Sequence, residues 1–190
     1  MAEASHLLHL SVAEQGKVYL LEGRHAEALR HFREAIRIAV SAKAPEVFFR
    51  HYTQCVLESL ELSGDYEEII AFCHEADAHY LRLDSAEPIV AKDHGATLER
   101  LGVALLLSER RDEAAEALKR AVERAGPGQL PLAEALSSWL VRGLGVPPTV
   151  LRQAQQRHHY FVVRKETVER RFARPLPRGG GASPAASLLR

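Results

Sequence analysis

Cysteine is scarce in this 190-residue chain, at two residues, and tryptophan and methionine appear once each. Two thiols, Cys55 and Cys73, are too few for a disulfide framework. Any fold must therefore rest on apolar burial, and a chain of this length can bury roughly two-thirds or more of its unfolded surface. Both cysteines read as small, reduced core residues. No apolar run approaches the roughly 20 residues of a membrane-spanning helix. The opening MAEASHLLHLSVAEQG has no basic leader and is broken by His and Ser, so the sequence predicts neither a secretory signal nor a span, and a cytoplasmic location. Strict apolar alternation is nearly absent, leaving YFVV (160–163) as the one candidate strand. CxxC and HExxH spacings are missing, as is a nucleophile elbow. The run RGGGAS (178–183) follows a predicted helix instead of joining a strand to one, which argues against a phosphate cradle. No catalytic residue, metal or cofactor is expected from this pattern.

What the sequence does have is apolar spacing of three and four residues almost throughout, the period of helices packed on one side. Turn-forming residues cut it into expected helices near 5–22, 24–42, 45–62, 66–83, 86–108, 111–125, 131–143 and 149–173. Asp65 followed by Glu68 has the spacing of a capping box. Pro45 and Pro88 suit first-turn positions, where a missing N–H costs nothing. The fold class that follows is all-α.

Three hairpins superimpose when aligned on their breaks. Gly16, Tyr19, Gly23, Ala28, Phe32 and Ala35 have the same spacing as Leu57, Leu60, Gly64, Ile69, Cys73 and Ala76, and as Gly102, Leu105, Glu109, Ala114, Leu118 and Ala121. Small residues at a helix crossing allow approach to about 8–10 Å, while larger ones fill the grooves on either side. The arrangement resembles the tetratricopeptide repeat (TPR), a helix-turn-helix unit that stacks into a solenoid. The first hairpin fits best. Leu57, Ile69 and Cys73 depart from the pattern in the second and Glu109 replaces the turn glycine of the third, while Val12 and Leu98 stand where the family's leading Trp would be. The turns lie 41 and 45 residues apart, against about 34 in the standard repeat, so the resemblance is to a long-helix variant. It implies a TPR-like α-solenoid of three helical hairpins plus two C-terminal helices, with a repeat domain over 5–145.

The resemblance also implies a function: a non-catalytic adaptor or scaffold that holds a segment of a protein partner on the concave face, along the first helix of each hairpin. Carried over by position, that face holds Lys17, Leu20 and Leu21, then His51, Gln54, Glu58 and Glu61, then Glu99, Val103 and Leu106. Its centre is acidic and its ends are apolar, which suits an amphipathic, partly basic helix. Charge reversal at Glu58 and Glu61 is expected to weaken binding without touching the core. His51 and Cys55 lie four apart on one helix and Cys73 and Asp77 four apart on the next, as paired metal ligands can. Cys73, however, falls at a repeat position that points into the hairpin.

Charge is unevenly placed. The chain has 25 basic and 25 acidic residues, yet 149–190 contain nine of the basic and only two of the acidic ones. Over 149–173 the helical period puts Val150, Ala154, Phe161, Val168 and Phe172 on one side and Arg152, Arg157, Arg164, Arg170 and Arg171 on the other. Such a basic amphipathic helix can close the solenoid end beside Trp139. The alternatives are contact with nucleic-acid phosphates, an anionic membrane surface or an acidic partner, which gives a second functional reading, a nucleic-acid-associated regulator. Residues 174–190 read as a flexible tail. Its end, RGGGASPAASLLR, bears a faint similarity to the loading peptides of encapsulin cargo proteins, which implies a third reading: a client addressed to an assembly by that tail.

Overall fold

The computed structural model describes residues 2–176, with side chains from Leu8 onward. Among the described residues there are eight α-helices, two 3-10 turns and no strand. The helices are α1 (Ala2–Leu21), α2 (His25–Ser41), α3 (Glu46–Ser63), α4 (Tyr66–Leu83), α5 (Pro88–Leu107), α6 (Arg111–Ala125), α7 (Pro131–Val141) and α8 (Pro148–Arg157). The chain is all-α, and seven of the eight boundaries follow the sequence closely. Pro88, Pro131 and Pro148 each open their helix, whereas Pro45 stands one position outside α3. Asp65 precedes α4 but its side chain makes no capping hydrogen bond, so the expected capping box does not form there.

The residues divide into two compact units. One comprises the described residues up to Gly64 together with those from Phe161 to Leu176; the other is Asp65–Tyr160. The repeat domain expected over 5–145 thus spans a division between α3 and α4.

In the first unit α1 packs on α2 and α2 on α3. The α2 sequence explains why: Ala28, His31, Phe32, Ala35, Ile36 and Ala39 recur at three- and four-residue steps and are all buried. Phe32 lies against Gly16, where an added Cβ would stand 2.8 Å from the ring. In the second unit α4 packs on α5, α5 on α6 and α6 on α7. Gly102 meets Leu118 as Gly16 meets Phe32, with an added Cβ 2.5 Å from Leu118 Cγ. The aligned seam positions therefore pair across a hairpin in each unit.

The turns repeat as well. Gly23 N–H donates to Leu20 O and Arg24 N–H to Tyr19 O; Glu109 N–H donates to Leu106 O and Arg110 N–H to Leu105 O. This is the pattern that closes a helix through one left-handed residue. Gly23 has φ 73° and Glu109, where glycine is missing, is held at φ 61°.

The C-terminal helix departs from expectation. It was expected over 149–173 and ends at Arg157. The same closing pattern is responsible: His159 N–H donates to Gln156 O and Tyr160 N–H to Gln155 O, with His159 at φ 51°. Arg100 then stacks its guanidinium 4.3 Å over the Tyr160 ring. Beyond it, residues 161–176 form a strap without α-helix, carrying 3-10 turns at Lys165–Thr167 and Arg170–Phe172. YFVV is not a strand, although its backbone groups do find partners outside their own segment, as described next.

Candidate functional site

The first unit joins the strap to α1, α2 and α3 through main-chain donors. Glu58 on α3, which is completely buried, accepts the N–H of Val162 and that of Val163, the latter at 3.1 Å. Glu14 on α1 accepts the Glu169 N–H at 2.8 Å while its other oxygen takes Lys17 Nζ at 2.7 Å. The Ser11 carbonyl accepts the Arg174 N–H at 3.0 Å. His31 on α2 donates through Nδ1 to the Glu27 carbonyl at 2.7 Å and accepts the Leu176 N–H at Nε2, 3.1 Å away. Five strap amides thus dock on three helices, and Val163 is buried. Thr167 fastens the strap to itself, accepting the Arg164 N–H and bonding the Val162 carbonyl.

The chemistry of this face is suited to a polypeptide. Backbone N–H groups must find acceptors where they leave water, as at buried Val163, and carboxylates and a histidine ring nitrogen supply them along the strap. Charge-assisted bonds of the Glu58 type are among the stronger ones available. Burial lowers the pKa of His31 from its ordinary 6.5, with Arg30 acting in the same direction and the Glu27 carbonyl opposing it. His51 is lowered first by burial and then by the nearby charge of Lys17.

Several residues expected on an open face are therefore interior. Lys17, Leu20, Glu58 and Glu61 are buried, Leu21 is exposed, and His51 and Gln54 are half-buried. Charge reversal at Glu58 and Glu61 would strike the core, contrary to the sequence expectation. In the second unit Val103 is buried and Leu106 half-buried, while Glu99, also buried, accepts the Ala133 N–H at 2.8 Å in the first turn of α7. Burial raises the Glu99 pKa against the lowering effect of that bond and of Arg100.

The five arginines do not form one helical stripe. Arg152 and Arg157 lie on α8, whereas Arg164, Arg170 and Arg171 lie on the strap. Arg164 donates to the Phe161 carbonyl, Arg170 approaches Glu22 at 3.7 Å and Arg171 pairs with Glu169 at 3.1 Å. Part of the tail expected to be flexible, Arg174–Leu176, is tied down by the bonds above. The suggested address segment RGGGASPAASLLR lies outside the described residues.

A second constellation was not legible in advance. Asp77 on α4 accepts from His94 Nε2 on α5 at 2.6 Å and from Arg120 Nη2 on α6 at 2.8 and 2.9 Å. Arg124 Nε donates to His94 Nδ1 at 3.1 Å, and Tyr80 stacks on the imidazole with centroids 4.9 Å apart. Burial would raise the Asp77 pKa, but bonds from His94 and Arg120 and their charges hold it below its ordinary 3.8. Arg120 and Arg124 are four apart on one helix, the only sequence clue to this cluster. Of the thiols, Cys55 lies 3.9 Å from His51 Nε2, and burial pushes the Cys73 thiol up to about 12. Such a buried thiol is a poor nucleophile. Among the described residues no group of three His, Cys, Asp or Glu side chains is placed to hold a metal ion, and no helix is long and apolar enough to cross a membrane.

No family model matches the chain, and neither a curated protein nor a solved structure does.

Proposed function

We propose that the protein is a non-catalytic adaptor of TPR-like α-solenoid architecture whose first unit binds an extended segment of a protein partner. One observation carries the reading: α1, α2 and α3 already accept an extended polypeptide, the chain's own strap, mostly through side-chain acceptors aimed at main-chain N–H groups. Main-chain recognition of this sort is how proteins take extended peptides, with side-chain fit adding selectivity. The strap is then a resident occupant that a partner segment must displace, which replaces the amphipathic helix suggested by the face's charge pattern. The nucleic-acid reading needs a continuous cationic helix, and α8 ends at Arg157.

The experiment uses the full chain with a protease site introduced between His159 and Tyr160 and a photo-crosslinking residue at exposed Leu21, one residue from the Glu22 that Arg170 approaches. After cleavage in cell extract, a discrete protein adduct should appear, and added peptide of residues 161–176 should suppress it while a scrambled peptide does not. Adducts that are absent, or indifferent to the strap peptide, overturn the reading.

A further inference from the structure

The Asp77 cluster borders an open cavity of 310 Å³ lined by Leu81, His94, Leu98, Arg120, Glu123 and Arg124. That volume is at the lower end of small-molecule sites, which run from about 300 Å³ upward. The two arginines on its wall are not equivalent. Arg120 is neutralised by Asp77, whose two oxygens it contacts. Arg124 has no such partner: its bonds go to the His94 ring nitrogen and, at 3.5 Å, to the Ser85 carbonyl. Among the described residues no carboxylate lies within ion-pair distance of it. Glu123, on the same wall, is directed to Lys119 at 3.9 Å.

Arg124 is also held rigidly for a residue of its length. Asp77 fixes the tautomer of His94 by accepting the Nε2–H, and so leaves Nδ1 as the acceptor that orients Arg124 Nε. The Tyr80 ring stacks on one face of the imidazole. A guanidinium bound at Nε still has Nη donors to offer, and its fork matches an oxyanion with two oxygens. Leu81 and Leu98 give the cavity an apolar side.

We propose that this cavity is a binding site for a small organic carboxylate with a compact aliphatic body, the carboxylate pairing with Arg124 and the body lying against Leu81 and Leu98. The site belongs to the second unit and does not depend on what the first unit binds.

The test is a titration of the full chain with sodium hexanoate, against sodium chloride at equal ionic strength and against hexylammonium, followed by NMR of the Leu81 and Leu98 methyl groups and the arginine Nε–H signals. Hexanoate should give saturable shifts at millimolar concentration and hexylammonium should not. Arg124→Gln, checked for a native helical melt, should weaken binding by about tenfold or more, the order of one charge-assisted contact. Glu123→Gln, an exposed change that leaves folding intact, should tighten it by about twofold or more by removing a like charge from the wall. The exposed Arg157→Gln should change nothing. Shifts that do not saturate, equal response to hexylammonium, or affinity indifferent to Glu123→Gln or to a folded Arg124→Gln would each overturn the proposal.

Discussion

Glu58→Ala removes the acceptor shared by the Val162 and Val163 amides while leaving α3 a good helix former at that position. A hydrogen bond to a charged group contributes about 1.5–3 kcal/mol net. Two such bonds give about 3–6 kcal/mol holding the start of the strap. At about 1.4 kcal/mol per factor of ten, the open strap should become about a hundredfold or more populated. Glu58→Gln keeps the shape and one neutral oxygen and should fall between the two. Hydrogen exchange followed by NMR reads this residue by residue. Protection of Val162 and Val163 should drop most in the alanine variant, less in the glutamine variant, and protection of the α2 core around Phe32 should change far less. If the Val162 and Val163 amides stay as protected in Glu58→Ala as in the parent, the strap is held by something else and the account of this face is wrong.

Other perturbations probe the seams, the turns and the histidines. Gly95→Ala places a Cβ 2.7 Å from Ala125 Cβ and 3.0 Å from the Ala121 carbonyl; with backbone unable to yield, overpacking of about 1–3 kcal/mol should outweigh the helix-propensity gain of about 1 kcal/mol, and a raised melting temperature would refute it. Glu109→Gly relieves a left-handed side-chain residue and should stabilise by about 1 kcal/mol, read as a rise of about 2–4 °C in melting temperature. His31 and His51 both titrate below 6.5 in the folded chain, so the stability they contribute is complete above 6.5 and is lost as pH falls through their lowered values. The slope is at most about 1.4 kcal/mol per pH unit for each. Protonated His31 can no longer accept the Leu176 N–H, so exchange at Leu176, corrected for its intrinsic pH dependence, should accelerate as pH falls below 6.5 through the lowered value of His31. A flat profile there would show that His31 does not hold the strap end.

The parts legible in the sequence are those set by local rules. Helix period and the spacing from Gly16 to Ala35 show where α1 and α2 meet, because a glycine facing Phe32 across the hairpin has few other arrangements, and Pro88 marks the start of α5. Glu109 shows the same rule surviving a substitution, since the turn keeps its left-handed residue without glycine. The strap was not legible because its alternative was locally sound: residues 149–173 do show a helical period. The acceptors waiting on Glu58, Glu14 and His31 lie 104, 155 and 145 residues in sequence from the strap amides they hold, and no local pattern reports them. The Asp77, His94, Arg120 and Arg124 cluster was hidden for the same reason, being assembled from three helices whose polar residues look like ordinary solvated ones.

The acidic centre of the face invites a reinterpretation on these grounds. Glu58 and Glu99 looked like free charges offered to a basic partner. Both are buried, and a buried carboxylate without donors is costly. Each in fact meets main-chain N–H groups of its own unit: Glu58 those of Val162 and Val163, Glu99 that of Ala133 at the start of α7, where unpaired amides and the helix dipole favour negative charge. The carboxylates therefore serve as anchors for backbone, in one unit for a helix start and in the other for an extended strap. A helix start is covalently committed to its place. An extended strap held by its amides presents groups that every polypeptide has, so under the proposed function the site would discriminate weakly by backbone and select its occupant through side chains such as the buried Val163. That is why the strap, and not the acidic charge, is the feature of the first unit that points to partner binding.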